Sequence, residues 1–147
     1  MQIRQLVDAL SVATQLDASD MSTVAALGFR SVINNRPDNE EAGQPAGASL
    51  EQAALAAGLA YREIAVVSGQ ITPAQAQSFG QTLAHLPAPV LAFCRTGTRS
   101  TLLWALDSAR SGTDIDAIIG TAAHAGYDLG GWRARLQQAQ HGDVAAT

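Results

Sequence analysis

The chain has 147 residues, 47% of them hydrophobic, with 13 acidic and nine basic side chains and a net charge of −4. All nine basic residues are arginines that form no stripe, which argues against nucleic acid as a partner. The apolar stretches are too short and too interrupted by Gly, Pro and polar residues to span a bilayer. The segment Met1–Asp8 lacks the apolar core of a secretion signal, so the expected location is cytoplasmic. The length suits one domain over residues 1–140, with 141–147 as a frayed tail.

In chain order, residues 3–6 and 10–14 read as short strands, and Asp17 to Asp20 offer caps for a helix stopped at Gly28. The Val-Ile centre of 30–34 predicts a strand. Residues 35–47, with Pro37, Gly43, Pro45 and Gly47, predict the one long loop. A helix over 48–57 ends at Gly58, a strand follows over 60–67, and Ser68-Gly69 turns the chain toward a helix opened by Thr72-Pro73 and running to about Leu86. The strand 90–93 is followed by a helix over 100–110 with Leu102, Leu103, Trp104 and Leu106 toward the core. Thr113 to Asp116 cap a helix over 117–125 stopped at Gly126, and a last helix spans 131–140. Strands alternating with helices predict an α/β fold with a mainly parallel sheet of four to five strands and helices on both faces. The residues following Asn34, Val67 and Phe93 should then meet at the carboxyl edge of that sheet.

That edge receives the only cysteine, Cys94, at the start of Cys94-Arg95-Thr96-Gly97-Thr98-Arg99-Ser100. A strand, a glycine-bearing turn and a helix in that order aim a thiol and a row of unpaired N–H groups at one spot, an arrangement suited to an anion and a nucleophile. Moving a thiol from about 8.5 to about 6 takes roughly 3.4 kcal/mol, whereas a helix terminus gives at most about 2. Arg99 and the hydroxyls of Thr96, Thr98 and Ser100 are the nearest sources of the remainder. The plainer alternative, a buried hydrophobe at Cys94, gives no reason for the adjacent Gly97, Arg95 and Arg99. Arg36 is a second anion clamp or a loop arginine paired with Asp38, Glu40 or Glu41; Asn34 orients the loop or is a plain turn asparagine. His85, His124 and His141 lack metal spacing, so no metal or cofactor is expected. Tyr127 and Trp132 read as helix-packing aromatics.

The run from Cys94 to Arg99 resembles the active loop of rhodanese-type sulfurtransferases, in which four residues separate cysteine and arginine. It also resembles the phosphate loop of tyrosine and dual-specificity phosphatases with one residue fewer. Over about the first 110 residues, the stretches Ile3–Leu6, Gly28–Asp38, Ala57–Tyr61 and Cys94–Ser100 resemble the bacterial phosphatase-like domain of beta-lactamase hydrolase-like proteins. That resemblance implies a tyrosine-phosphatase-like fold and, because such domains are found fused to persulfide dioxygenase or flavin oxidoreductase modules, a possible partner of either kind. It also implies, through the phosphatase relatives, a general acid in the segment 66–72, which here holds no carboxylate. Asp38, Glu40 or Glu41 are the substitutes at hand.

Two enzymatic readings follow, each with a small anionic substrate. In the first, favoured by the short loop and the missing acid, Cys94 carries a persulfide drawn from thiosulfate or a similar sulfane donor. In the second, Cys94 attacks a phosphate ester whose oxygens Arg99 clamps. A third reading, a non-catalytic anion- or partner-binding module, leaves the nucleophile without a use.

Overall fold

A computed structural model describes residues 1–142; the expected tail beyond Gly142 lies outside the described residues. Five strands form one sheet: β1 (Ile3–Val7), β2 (Leu10–Ala13), β3 (Ser31–Asn34), β4 (Ala60–Glu63) and β5 (Val90–Phe93), in the order β1-β2-β5-β3-β4. β1 and β2 make an antiparallel hairpin, and every other pairing is parallel. The helices are α1 (Met21–Ala26), α2 (Gly47–Ala56), α3 (Pro73–His85), α4 (Thr98–Arg110), α5 (Ile115–His124) and α6 (Arg133–Gln140). The α/β architecture expected from the sequence, a mainly parallel sheet of five strands with helices on both faces, is the one present.

Side chains alternate across the sheet and build a core on each face. Val12, Ile33, Val90 and Ala92 pack with Phe79 of α3, Leu103 and Leu106 of α4, Ile118 of α5 and Leu136 of α6. Ala13, Val32, Leu91 and Phe93 pack with Met21 and Val24 of α1 and Leu50 and Ala54 of α2. Both faces are covered, so β2, β3 and β5 are buried throughout; β5 is a continuous apolar run, while β2 and β3 also bury the polar Ser11, Ser31 and Asn34.

Several boundaries differ from the sequence reading. β4 stops at Glu63 rather than at 67, because its neighbour β3 ends at Asn34; beyond it Ile64 N–H and Val66 N–H still reach the carbonyls of Asn34 and Asn35. The helix expected near 20–28 splits into a 3-10 turn, Ala18–Asp20, and the short α1, and the last helix likewise begins as a 3-10 turn over Gly130–Trp132. α4 starts at Thr98, two residues earlier than expected.

Register decides where loops emerge. Ala13, Phe93 and Asn34 lie abreast, with Glu63 beside Asn34. The segments that follow these four residues therefore leave one edge of the sheet together. At its centre β5 hands the chain directly to Cys94.

Candidate active site

The loop 94–97 is shaped by what its carbonyls do. The Arg95 carbonyl accepts from Gln15 N–H (3.2 Å), that of Thr96 from the Tyr127 hydroxyl (3.1 Å), and that of Gly97 from Thr101 N–H (3.0 Å) and its hydroxyl (2.8 Å). With the carbonyls tied back, the Gly97 N–H points inward and donates to Cys94 Sγ at 3.1 Å. Gly97 has φ +89°, and a Cβ there would lie 2.1 Å from the Tyr127 hydroxyl oxygen, so glycine is required both by conformation and by space.

α4 opens directly from this loop with no side-chain cap, which leaves its first amides free for a ligand. What holds the helix in place is packing: nine of its 13 residues are buried. Burying a Leu side chain is worth about 1.5–3 kcal/mol, more than a cap supplies.

Arg99 is buried, and both terminal nitrogens of its fork are engaged. Nη1 donates to Glu40 Oε2 (2.7 Å) and to the Val66 carbonyl (2.9 Å), and Nη2 donates to Glu40 Oε1 (3.0 Å). Arg36, also buried, donates from Nε to Glu40 Oε1 (2.8 Å), from Nη1 to Gln15 Oε1 (2.9 Å) and from Nη2 to Glu41 Oε1 (3.3 Å). Burial works against the charge on Arg99, but the hydrogen bond to Glu40 and the negative charge of Cys94 outweigh it and raise the pKa above its ordinary value. The Arg99 hydrogen bond holds the Glu40 carboxyl below the usual range despite opposing desolvation, with Arg36 assisting.

That depression fixes a sign. Stability from ionised Glu40 is present above the ordinary glutamate pKa and is lost as pH falls through the lower folded value. Glu40→Gln should therefore cost no more than about 1 kcal/mol near neutrality, since the side chain is 23% exposed, and the gap from wild type should close in strongly acidic buffer. Thermal melts of both proteins across pH read this directly; a gap that widens on acidification would show the sign to be wrong.

The remaining expected site residues fall into two groups. Thr96 and Thr98 stand at the loop surface with hydroxyls 3.0 Å apart, and Arg95, 64% exposed, reaches Glu41 at 3.9 Å. These residues line a cleft of about 590 Å³ with Arg36, Glu40, Glu41, Ser68, Gly69, Ile71, Arg99, Leu102 and Trp132. The others are supports. The Ser100 hydroxyl donates to Asn35 Oδ1 (2.7 Å), and Asn35 Nδ2 donates to the Ile64 carbonyl (3.0 Å), so Ser100 ties α4 to two neighbouring loops. Asn34 Nδ2 donates to the Tyr61 hydroxyl (2.9 Å) while its Oδ1 accepts from Arg36 N–H (2.9 Å). Asp38 accepts from the Gly47 N–H (2.8 Å), capping α2, and does not line the cleft.

Sequence reasoning passed over three contributors. Gln15 follows β2, and the shared register of Ala13 and Phe93 is what brings it to the loop. Trp132 lines the cleft in addition to packing, with the Arg135 guanidinium 5.2 Å from its ring centre; Arg135 also donates to the Ile71 carbonyl (2.9 Å). Tyr127 touches the loop itself rather than serving only as packing. The signal for it was the Gly126 stop: with Gly126 at φ +97°, Gly126 N–H bonds the Ala123 carbonyl and Tyr127 N–H bonds the Ala122 carbonyl, the paired closure that projects the next side chain off the helix end.

Among the described residues no helix is long and apolar enough to cross a membrane, and no three His, Cys, Asp or Glu gather as a metal site.

Residues 2–111 match the family described as beta-lactamase hydrolase-like protein, phosphatase-like domain. A beta-lactamase hydrolase-like protein of Xylella fastidiosa is 36% identical over 131 residues, which are 88% of this chain and 30% of that protein, so the chain spans under a third of such relatives. The crystal structure of a candidate phosphatase from Neisseria meningitidis superposes with a TM-score of 0.86 at 38% identity, covering 95% of this chain and 99% of the other. The structure of Pseudomonas aeruginosa TpbA in complex with phosphotyrosine gives 0.67 at 16% identity, covering 95% and 88%, a likeness of fold.

Proposed function

The chain belongs to the phosphatase-like domain family of beta-lactamase hydrolase-like proteins, and from that premise we propose that it is a thiol-nucleophile enzyme hydrolysing phosphate esters through Cys94. The observation that carries this reading is the cleft above the loop. Its volume of about 590 Å³ exceeds that of a phosphoryl group, and Arg99 lines it together with Glu40 and Glu41, carboxylates of the kind that the segment 66–72 lacks. The short loop and the bare segment favoured sulfur transfer from sequence. A relative at 38% identity over nearly its whole length, described as a phosphatase candidate, tips the balance the other way.

In the proposed reaction the Cys94 thiolate attacks phosphorus, the ester P–O bond breaks, and the leaving oxygen takes a proton. Water then attacks the phosphocysteine, releasing phosphate and restoring the thiolate. Loop amides and the Arg99 guanidinium stabilise the equatorial oxygens as charge develops on them.

The proton is assigned by elimination among three carboxyls. Asp38 is engaged at α2, and Glu40 is held ionised by Arg99 and Arg36. Glu41 lines the cleft, is 53% exposed, and is held only by contacts of 3.3 and 3.9 Å. A general acid matters most where the leaving oxygen is a poor one. Glu41→Gln should lower kcat about 10²-fold for poor leaving groups, with little change for an activated aryl phosphate. An unchanged kcat on an alkyl phosphate would remove Glu41 and leave the proton to water.

Intact mass spectrometry after rapid quench separates the two chemistries. A phosphoryl adduct on wild type during turnover of a slow aryl phosphate, absent from Cys94→Ser, supports hydrolysis. A single added sulfur from thiosulfate, removable by glutathione, with no phosphoryl adduct, would restore sulfur transfer to first place.

A further inference from the structure

We infer that Tyr127 is a positioning residue for the Cys94 nucleophile, acting through the single peptide group that joins Thr96 to Gly97. This rests on Cys94 being the nucleophile of the proposed reaction, but on no particular substrate. The carbonyl of that peptide accepts from the Tyr127 hydroxyl at 3.1 Å, and its N–H donates to Cys94 Sγ at 3.1 Å. The two ends of one planar unit are therefore occupied at once. A hydrogen bond received at the oxygen fixes the rotation of the plane, holding the N–H on the sulfur, and polarises the amide so that it donates more strongly.

Three observations support a built contact. Tyr127 is projected by the closure at Gly126 described above, from a helix whose face packs in the core. Its hydroxyl occupies the space where any side chain at residue 97 would lie, so the glycine and the phenol fit one another. Burial first, and then the negative charge of Cys94, raise the phenol above its ordinary pKa, with Arg4 opposing, so Tyr127 remains a donor over the working range. The charged groups facing Cys94 and Tyr127 are thus Arg99 from α4 and Arg4 from β1, and neither is altered by changing the phenol.

The test is Tyr127→Phe, which keeps the ring and its packing and removes only the donor. Thiolate formation at Cys94, followed by ultraviolet absorbance and by the pH midpoint of alkylation, should move upward by about half a unit to one unit, in line with one lost hydrogen bond. On an aryl phosphate kcat should fall about three- to tenfold at neutral pH with KM nearly unchanged, because the thiolate is weakened and the anion-binding amides remain. A thermal melt keeps the result interpretable. If melting temperature falls while the thiol midpoint stays at the wild-type value, Tyr127 is structural only and the inference fails. Because alkylation needs no substrate, a wild type inactive on phosphate esters would overturn the proposed reaction and leave this measurement readable.

Discussion

Cys94→Ser is expected to lower turnover on the order of a thousandfold or more while leaving the protein folded and able to bind oxyanions. Serine is close to cysteine in volume, and its oxygen can accept the Gly97 N–H that now reaches Sγ at 3.1 Å, so the loop keeps its shape. What disappears is a thiol, which gives up its proton far more readily than a hydroxyl does, and among the described residues no general base stands in hydrogen-bond contact with residue 94 to replace it. The comparison requires kcat for both proteins, their melting temperatures, and the rise in melting temperature produced by sulfate or vanadate. Substantial residual turnover by a stable serine variant would exclude covalent catalysis.

Arg99→Lys is expected to reduce kcat/KM about 10²- to 10³-fold and to weaken oxyanion inhibition, although the charge is conserved. The guanidinium meets Glu40 with two nitrogens and the Val66 carbonyl with one of them, all while facing the loop. An ammonium is a point donor on a flexible stem and cannot hold Glu40, Val66 and a substrate oxygen in one plane. Kinetics that match wild type would remove Arg99 from the reacting centre, whatever its place in the cleft.

The legible part of this protein was the part written in short-range chemistry. Val90–Phe93 announces a buried strand, Gly97 a turn with positive φ, and Leu102, Leu103 and Leu106 a packed helix, and together they place Cys94 at a strand–helix junction. The fold class followed from alternation of elements. Less legible was any relation set by register. Gln15 and Asn35 are polar residues with no pattern around them, and each matters because Ala13, Asn34 and Phe93 stand level across the sheet. Partner choice among like charges was also closed to sequence. Asp38, Glu40 and Glu41 lie within four residues of one another, yet one caps α2, one locks Arg99, and one faces the cleft loosely. Only the path of the loop separates them.

The burial of Cys94 also bears on oxidation. A thiolate reactive enough to attack an ester is equally open to peroxide, and this chain has no second cysteine with which to trap a sulfenic acid as a reversible disulfide. Cys94 is 0% exposed in the folded chain, and the neighbouring cleft is lined by the loop residues around it, with Glu40 and Glu41 beside Arg36, Arg95 and Arg99, rather than by the sulfur itself. With no resolving thiol in the sequence, burial is what limits oxidation of this sulfur.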